Sequence, residues 1–425
     1  MDQLLNRRWL VIAIAVLVIL LAGALIWFNW GNDLPGVSVI DTGEFPLADS
    51  QEVPGAQSLF PDNTGEKTAS SSTTGIDGEG GASFSDSGLV SGKFKQIISA
   101  PIASATIFPQ ISNTIYYLDQ ATGNLYKSSL IGEGQERLSL TTLNNLRRVW
   151  WWGTNAEPAA IVGQEIAGQI NLISASLQTA SGTDQKISDF SGPTVPTNFY
   201  TFAVNPKRNK IVALGREKNL VSAYLTNGDF NKPEKVLGLS FGDWRLSWPE
   251  ENLIAFETRP SSLIPGALYL LNLKTKSFDQ IIAGSSGLTS TVSPNGLWII
   301  YSESRDGKML TYLLNLKQKT KTLLTFSTIA DKCAWTSDGA VVYCAAPNTV
   351  TSSDYLDSWF KGTISSNDNF WMVNVASSSA KMVADTAKNS LFDVYKPFLD
   401  DSNETLFFIN KKDSSLWSFD VREGF

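Results

Sequence analysis

Residues 292–316 read VSPNGLWIIYSESRDGKMLTYLLNL, and the grammar of this stretch repeats along most of the chain. An apolar residue, Val292, leads into the polar turn Ser293-Pro294-Asn295-Gly296. An apolar run over 297–301 follows, then a second turn at Arg305-Asp306-Gly307. A third run, 309–316, carries Tyr312. Short apolar runs bounded by Gly, Pro, Asn and Asp read as strand, turn, strand, turn, strand.

Working outward, the residue just before each polar turn marks a unit. Phe108, Trp152, Val204, Trp248, Val292, Trp335 and Phe398 are such anchors, spaced by 44, 52, 44, 44, 43 and 63 residues. The third strand keeps step. Tyr126, Leu172, Tyr224, Tyr269, Tyr312 and Trp417 fall 18–21 residues after their anchors, and Trp371 of the sixth unit is the exception. Fourth strands follow, as at 278–283 and 320–326. Four strands every 40–45 residues is the period of a propeller blade. Seven anchors therefore predict an all-β fold, a seven-bladed β-propeller over residues 93–425.

The seventh unit is one strand short, and Phe94-Lys95-Gln96-Ile97-Ile98 stands alone before the first. That segment matches Phe278-Asp279-Gln280-Ile281-Ile282, the fourth strand of unit four, at four of five positions. It is expected to complete blade seven and close the ring, which removes the exposed edges of an open array.

The turn Ser293-Pro294-Asn295-Gly296 with Tyr312, and Thr336-Ser337-Asp338-Gly339 with Trp371, resemble the signature of TolB-like, WD40-like propeller repeats of bacterial envelope proteins. The resemblance covers residues 93–425. It implies the fold and a scaffolding or protein-binding role, because such propellers mostly bind proteins and some only accompany a catalytic domain.

Ahead of the propeller, residues 9–28 (WLVIAIAVLVILLAGALIWF) carry no charge. As a helix they would span about 30 Å, enough for a bilayer core. Arg7 and Arg8 precede them and no basic residue follows until Lys67. The positive-inside rule then predicts a cytoplasmic stub at 1–8, a single transmembrane helix at 9–28, and an extracytoplasmic remainder. Ala22-Gly23-Ala24 resembles a cleavage site, so a signal peptide is the competing reading. The apolar run continues through Phe28, longer than a signal core needs, which favours an uncleaved anchor. Residues 29–92 read as a flexible acidic linker. Between 31 and 92 there are ten acidic residues against one lysine, amid Gly, Ser and Thr, too few large apolar groups to offset the entropy of ordering. Of the net charge of −7, residues 93–425 hold +1. A near-neutral globular part argues against a nucleic-acid surface.

The chain contains no histidine. Ser-His-Asp and Cys-His nucleophiles and every His-containing metal site are thereby removed, and no catalytic residue, metal or cofactor is assigned. Paired carboxylates remain available. The leading expectation is thus a membrane-anchored module that binds a protein or an envelope polymer. The alternative is a carboxylate-based glycan hydrolase or lyase working in the propeller cleft. Asp243 and Asp393, near inner strands, read as hydrogen-bonded structural groups, and Trp150-Trp151-Trp152 reads as packing between blades.

Cys333 and Cys344 flank the turn 336–339. A hairpin would set them opposite each other, with Cα atoms about 4.5 Å apart, close enough for a disulfide. The sixth unit also carries a 22-residue insertion, PNTVTSSDYLDSWFKGTISSND, between its second and third strands. Long loops on a rigid scaffold often carry function. Tyr355, Leu356, Trp359, Phe360 and Lys361 are its candidate partner-binding residues, with a lid packed on the propeller as the competing reading. In an extended loop Trp359 and Phe360 would point opposite ways, the outward one joining Tyr355 at the centre of a binding surface. The long second-to-third turn of blade four, 258–266, should rise on the same face.

Overall fold

A computed structural model describes residues 93–109, 113–154, 156–178, 188–350, 354–389 and 391–422. Seven four-stranded antiparallel sheets form the blades, over 102–137, 146–191, 199–239, 244–286, 289–323, 333–384 and 394–420. The seventh takes its fourth strand from Phe94–Ile98. First strands of blades one to four, and those of blades six and seven, lie against one another, which sets the first strands on the axis side of the ring. They are Ile102–Thr106, Leu146–Gly153, Phe199–Val204, Trp244–Glu250, Thr289–Val292, Cys333–Trp335 and Val394–Leu399. Each ends at or within a residue or two of its sequence anchor.

The core is a chain of apolar clusters lying between blades. Trp151 packs with Phe108 and Tyr116 of blade one, while Trp150 and Trp152 turn toward Phe202 and Phe230 of blade three. The three tryptophans thus alternate sides of one strand, because successive side chains of a strand point to opposite faces. They are packing residues, as their spacing predicts.

Ring closure is a sheet seam. Phe94 pairs with Phe419, Lys95 with Ser418 and Gln96 with Trp417. Phe94 stacks on Phe419 at 4.5 Å and also meets Phe392 and Phe370, the latter in blade six. Cys333 and Cys344 are directly opposed in the blade-six ladder, 4.1 Å apart at Cα, and are disulfide-bonded. The predicted transmembrane segment, the linker and the stub lie outside the described residues. Among the described residues no helix is long and apolar enough to cross a membrane.

The antiparallel order puts the second-to-third turns and the links between blades at one mouth of the ring, called here the upper. The first-to-second turns fall at the lower mouth. Removing the closing strand takes away Ile97 and Ile98, both buried, and with them burial worth roughly 1.5–3 kcal/mol each. A truncation starting at residue 101 should therefore melt on the order of 10 °C below one starting at residue 91. Equal melting temperatures would show that the seam does not hold the ring.

Candidate functional site

The upper mouth over blades four to seven concentrates the charged and aromatic groups. Its architecture follows from the sequence order of each blade, since residues just before a first strand and just after a second strand all arrive there. The blade-six insertion covers this mouth, and the structure corrects the expectation of an extended loop. Tyr355–Lys361 is a short helix. Gly362 ends it in the left-handed region, φ 77°, and the Thr363 N–H returns to the Ser358 carbonyl at 3.0 Å, a glycine-terminated Schellman arrangement. Helical spacing sends Tyr355, Leu356 and Trp359 inward together, onto Met309 and Ile329. Tyr355 is buried, so the expectation that it faces outward beside its aromatic neighbour is also corrected. Phe360 does face outward, 42% exposed, and Lys361 is exposed next to it.

Beneath the helix lies an enclosed ion network. Lys332, just before the first strand of blade six, is wholly buried, and its Nζ donates to Ser366 Oγ at 2.5 Å, Asp368 Oδ2 at 2.6 Å and Asp393 Oδ1 at 2.7 Å. Asp393 also accepts from Trp359 Nε1 at 2.8 Å and from Ser365 Oγ at 3.0 Å. Val394 N–H donates to Asp368 Oδ2 at 2.8 Å. Lys411 sits over the Trp359 ring, 4.0 Å from its centroid, and donates to the Trp359 carbonyl. Burial alone would push the Lys332 ammonium down, but Asp368, Tyr355 and Asp393 outweigh it and hold it above the usual lysine value. Burial likewise presses Asp393 upward, yet Lys332 and the Trp359 and Ser366 donors bring it down to about 2. Asp393 is thus the hydrogen-bonded structural group its position suggests. The second such aspartate, Asp243, instead makes an exposed pair with Arg259 at 3.0 Å. With Lys332, Asp368 and Asp393 wholly buried and paired with one another, the network is a strut that fixes the helix to blades six and seven.

A second cluster lies closer to solvent. Arg245 Nη2 meets Asp331 Oδ1 at 2.5 Å, and its Nη1 lies 3.3 Å from Glu257 Oε1. Ser290 donates to the other Glu257 oxygen, and the guanidinium carbon stands 5.5 Å from the Phe360 ring centroid. Blades four and six also meet directly. Ser262 N–H, in the long turn of blade four, donates to Asp357 Oδ2 of the helix at 2.9 Å. The two expected walls are therefore joined into one. Glu257 Oε1 and Asp331 Oδ2 are buried without hydrogen-bond partners. Burial, reinforced by Asp331 and opposed by Arg245, pushes Glu257 up to about 7. A carboxyl that titrates near neutrality next to a second carboxylate has the form of an acid–base group, but both carboxylates are tied to one guanidinium. Among the described residues no group of three His, Cys, Asp or Glu side chains is placed to hold a metal ion.

Sequence reading singled out the aromatic residues of the insertion, Asp243 and Asp393, but missed Lys332, Asp368, Arg245, Glu257 and Asp331. One signal was available. Asp243, Asp331 and Asp393 each stand one or two residues before a first strand, where side chains reach the ring mouth.

The fold defines a seven-bladed propeller protein. Neither a protein-family model nor a curated protein matches the sequence. Among solved structures, an oligogalacturonate lyase from Vibrio parahaemolyticus is similar, at 12% identity over 77% of this chain and 92% of its own, with a TM-score of 0.51. An oligogalacturonate lyase in complex with manganese is similar at 12% identity over 78% and 91%, with a TM-score of 0.50. TolB from Acinetobacter baumannii aligns at 12% identity over 75% of this chain and 79% of its own, with a TM-score of 0.37. At such identities the likeness, including that to TolB-like and WD40-like repeats, is one of fold.

The Glu257 environment gives a pH-dependent expectation. Its pKa is raised from 4.5 to about 7 by folding. The native state therefore holds the extra proton, and Glu257's contribution to stability falls as pH rises through that window. Glu257→Gln should be more stable than wild type at pH 8, by about 3 kcal/mol, and so melt higher there, and be level with it near pH 4.5. Thermal melts at the two pH values check this. No gain at pH 8 would mean that Arg245 fully compensates the buried charge.

Proposed function

We propose that the propeller is a protein-binding module whose contact surface is the upper mouth. The observation that carries this reading is where the exposed apolar side chains fall. Among the exposed large apolar side chains of the described residues, Ile166 and Ile170 of blade two, Leu220 of blade three, Leu263 and Ile264 of blade four and Phe360 stand at that mouth, with Phe241 on the link into blade four, against Ile131 and Leu297 at the lower mouth. Leu263 and Ile264 are 86% and 68% exposed. Apolar groups gathered on one face, with polar groups around them, mark interaction sites, whereas isolated ones carry no such meaning. The buried ion strut and the Ser262–Asp357 hydrogen bond hold Phe360 and the blade-four turn in fixed relation, which lowers the ordering cost of binding. Tyr355, Leu356 and Trp359 support this surface from beneath, and Phe360 and Lys361 present it.

The propeller is further proposed to work outside the cytoplasmic membrane, anchored by residues 9–28 through the acidic linker. The charge-free run after Arg7 and Arg8 supports this, and the Cys333–Cys344 disulfide accords with an oxidising compartment. A carboxylate-based glycan enzyme is the second reading, favoured by the raised Glu257 beside Asp331. It requires glycan turnover that Glu257→Gln abolishes.

Two measurements test the leading reading. With protein partners captured on the full-length chain, Phe360→Ala and Leu263→Asp should each weaken capture by about 2 kcal/mol at a hot-spot position. Leu297→Asp, on a first-to-second turn of the lower mouth, should change nothing. Equal capture by all three variants would place the surface elsewhere. For location, a C-terminal reporter active only after export should be active. A reporter active only in the cytoplasm giving signal instead would overturn the anchor orientation.

A further inference from the structure

The lower mouth holds a cleft of about 340 Å³ between blades one, three and seven. Arg208 forms one side and Asp401 another, with Ile107, Val204 and Leu399 among the apolar groups between them. Arg208 belongs to the turn Asn205-Pro206-Lys207-Arg208-Asn209 of blade three and adopts a left-handed backbone, φ 58°. Its side chain reaches across two neighbouring blades. The guanidinium carbon lies 5.3 Å from the Phe108 ring centroid, and Nη1 and Nη2 donate to the Trp151 and Ile107 carbonyls, both at 3.4 Å. Bonds of that length are weak. Burial pushes this guanidinium down to about 10, only partly offset by Asp401.

Among the described residues Arg208, half-buried at the cleft, makes no ion pair, although the guanidinium fork is matched to a carboxylate. Asp401, exposed on the first-to-second turn of blade seven, is also free of an ion pair among the described residues. Two opposite charges therefore face one cleft without closing on each other. A lone anion there would meet the field of Asp401, and a lone cation that of Arg208. A ligand carrying both charges satisfies both walls at once.

We propose that this cleft binds a small zwitterion of amino-acid size, its carboxylate held by Arg208 and its ammonium by Asp401. The planar fork of the guanidinium suits a carboxylate bidentately, and Ile107, Val204 and Leu399, within an otherwise mainly polar lining, would meet the short hydrocarbon between the charged ends. The site lies at the mouth opposite the proposed partner surface and does not depend on that reading.

Calorimetric titration of the full-length protein with glycine, alanine and γ-aminobutyrate, with acetate and methylammonium as single-charge controls, tests it. At least one zwitterion should bind saturably, and Arg208→Gln and Asp401→Asn should each weaken it tenfold or more. Neither control should saturate at the same concentration. Asp401 is on the surface, so Asp401→Asn keeps the fold and decides the matter even if Arg208→Gln, which loosens blades one to three, does not fold. No saturable zwitterion, binding unchanged in Asp401→Asn, or acetate binding as tightly as the zwitterions would each overturn the proposal.

Discussion

A propeller ring has no middle state between open and closed. Each blade buries its faces against two neighbours, so one missing contact leaves two large apolar faces in water. In this chain the contact that decides the matter is the pairing of Phe94–Ile98 with Leu416–Asp420, strands more than 300 residues apart in sequence. Contacts this distant in sequence cost loop-closure entropy before they return anything. The seam answers with stacked aromatics. Phe94 lies flat on Phe419 and touches Phe392 and Phe370, so the strand that completes blade seven also grips blade six. Every other interface inherits its geometry from that closure, because seven blades share one circumference.

Within the closed ring the two mouths are tied differently. At the lower mouth neighbouring first-to-second turns hold hands. Lys207 pairs with Glu251, Asn295 donates to the Asp338 carbonyl, and Ser337 and Asn403 exchange two hydrogen bonds. Arg208 spans blades one to three in the same way. At the upper mouth the ties are concentrated over blades four to seven, through Arg245, Lys332 and the Ser262–Asp357 hydrogen bond. Blades two and three, and the long turn of blade four, present exposed aliphatic side chains at that mouth. The asymmetry is chemical, since the blade backbones repeat closely.

Much of this was legible in the residues. Strand alternation and turn chemistry are local, so the anchors from Phe108 to Phe398 placed all seven blades, and the FKQII and FDQII match placed the seam. The disulfide was legible for the same reason, because two cysteines flanking a hairpin turn have little choice of partner. The helix at Tyr355–Lys361 was misread as extended, although Tyr355 and Leu356 stand four and three residues before Trp359 and Gly362 stands ready to end a helix. A seven-residue helix has too few bonds to hold itself in water, and here Met309 and Ile329 supply what its own sequence lacks. Lys332 and Asp368 were not legible, and Asp393 was legible as a hydrogen-bonded group but not by its partners. Their partnership spans 36 and 61 residues and exists only because blades six and seven meet.

That partnership bears on lifetime more than on equilibrium. Replacing a sealed ion pair by apolar groups of the same volume often costs nothing at equilibrium. Pulling one apart is different, because unlike charges separating in a dry medium gain no hydration until water arrives. Water can reach Lys332 only after the helix and the sixth blade have begun to leave the seventh. The electrostatic cost therefore falls early on the route out of the native state, before the compensating hydration, and raises the barrier to unfolding. A protein built this way is durable kinetically, with the slow step lodged under the helix at its upper mouth.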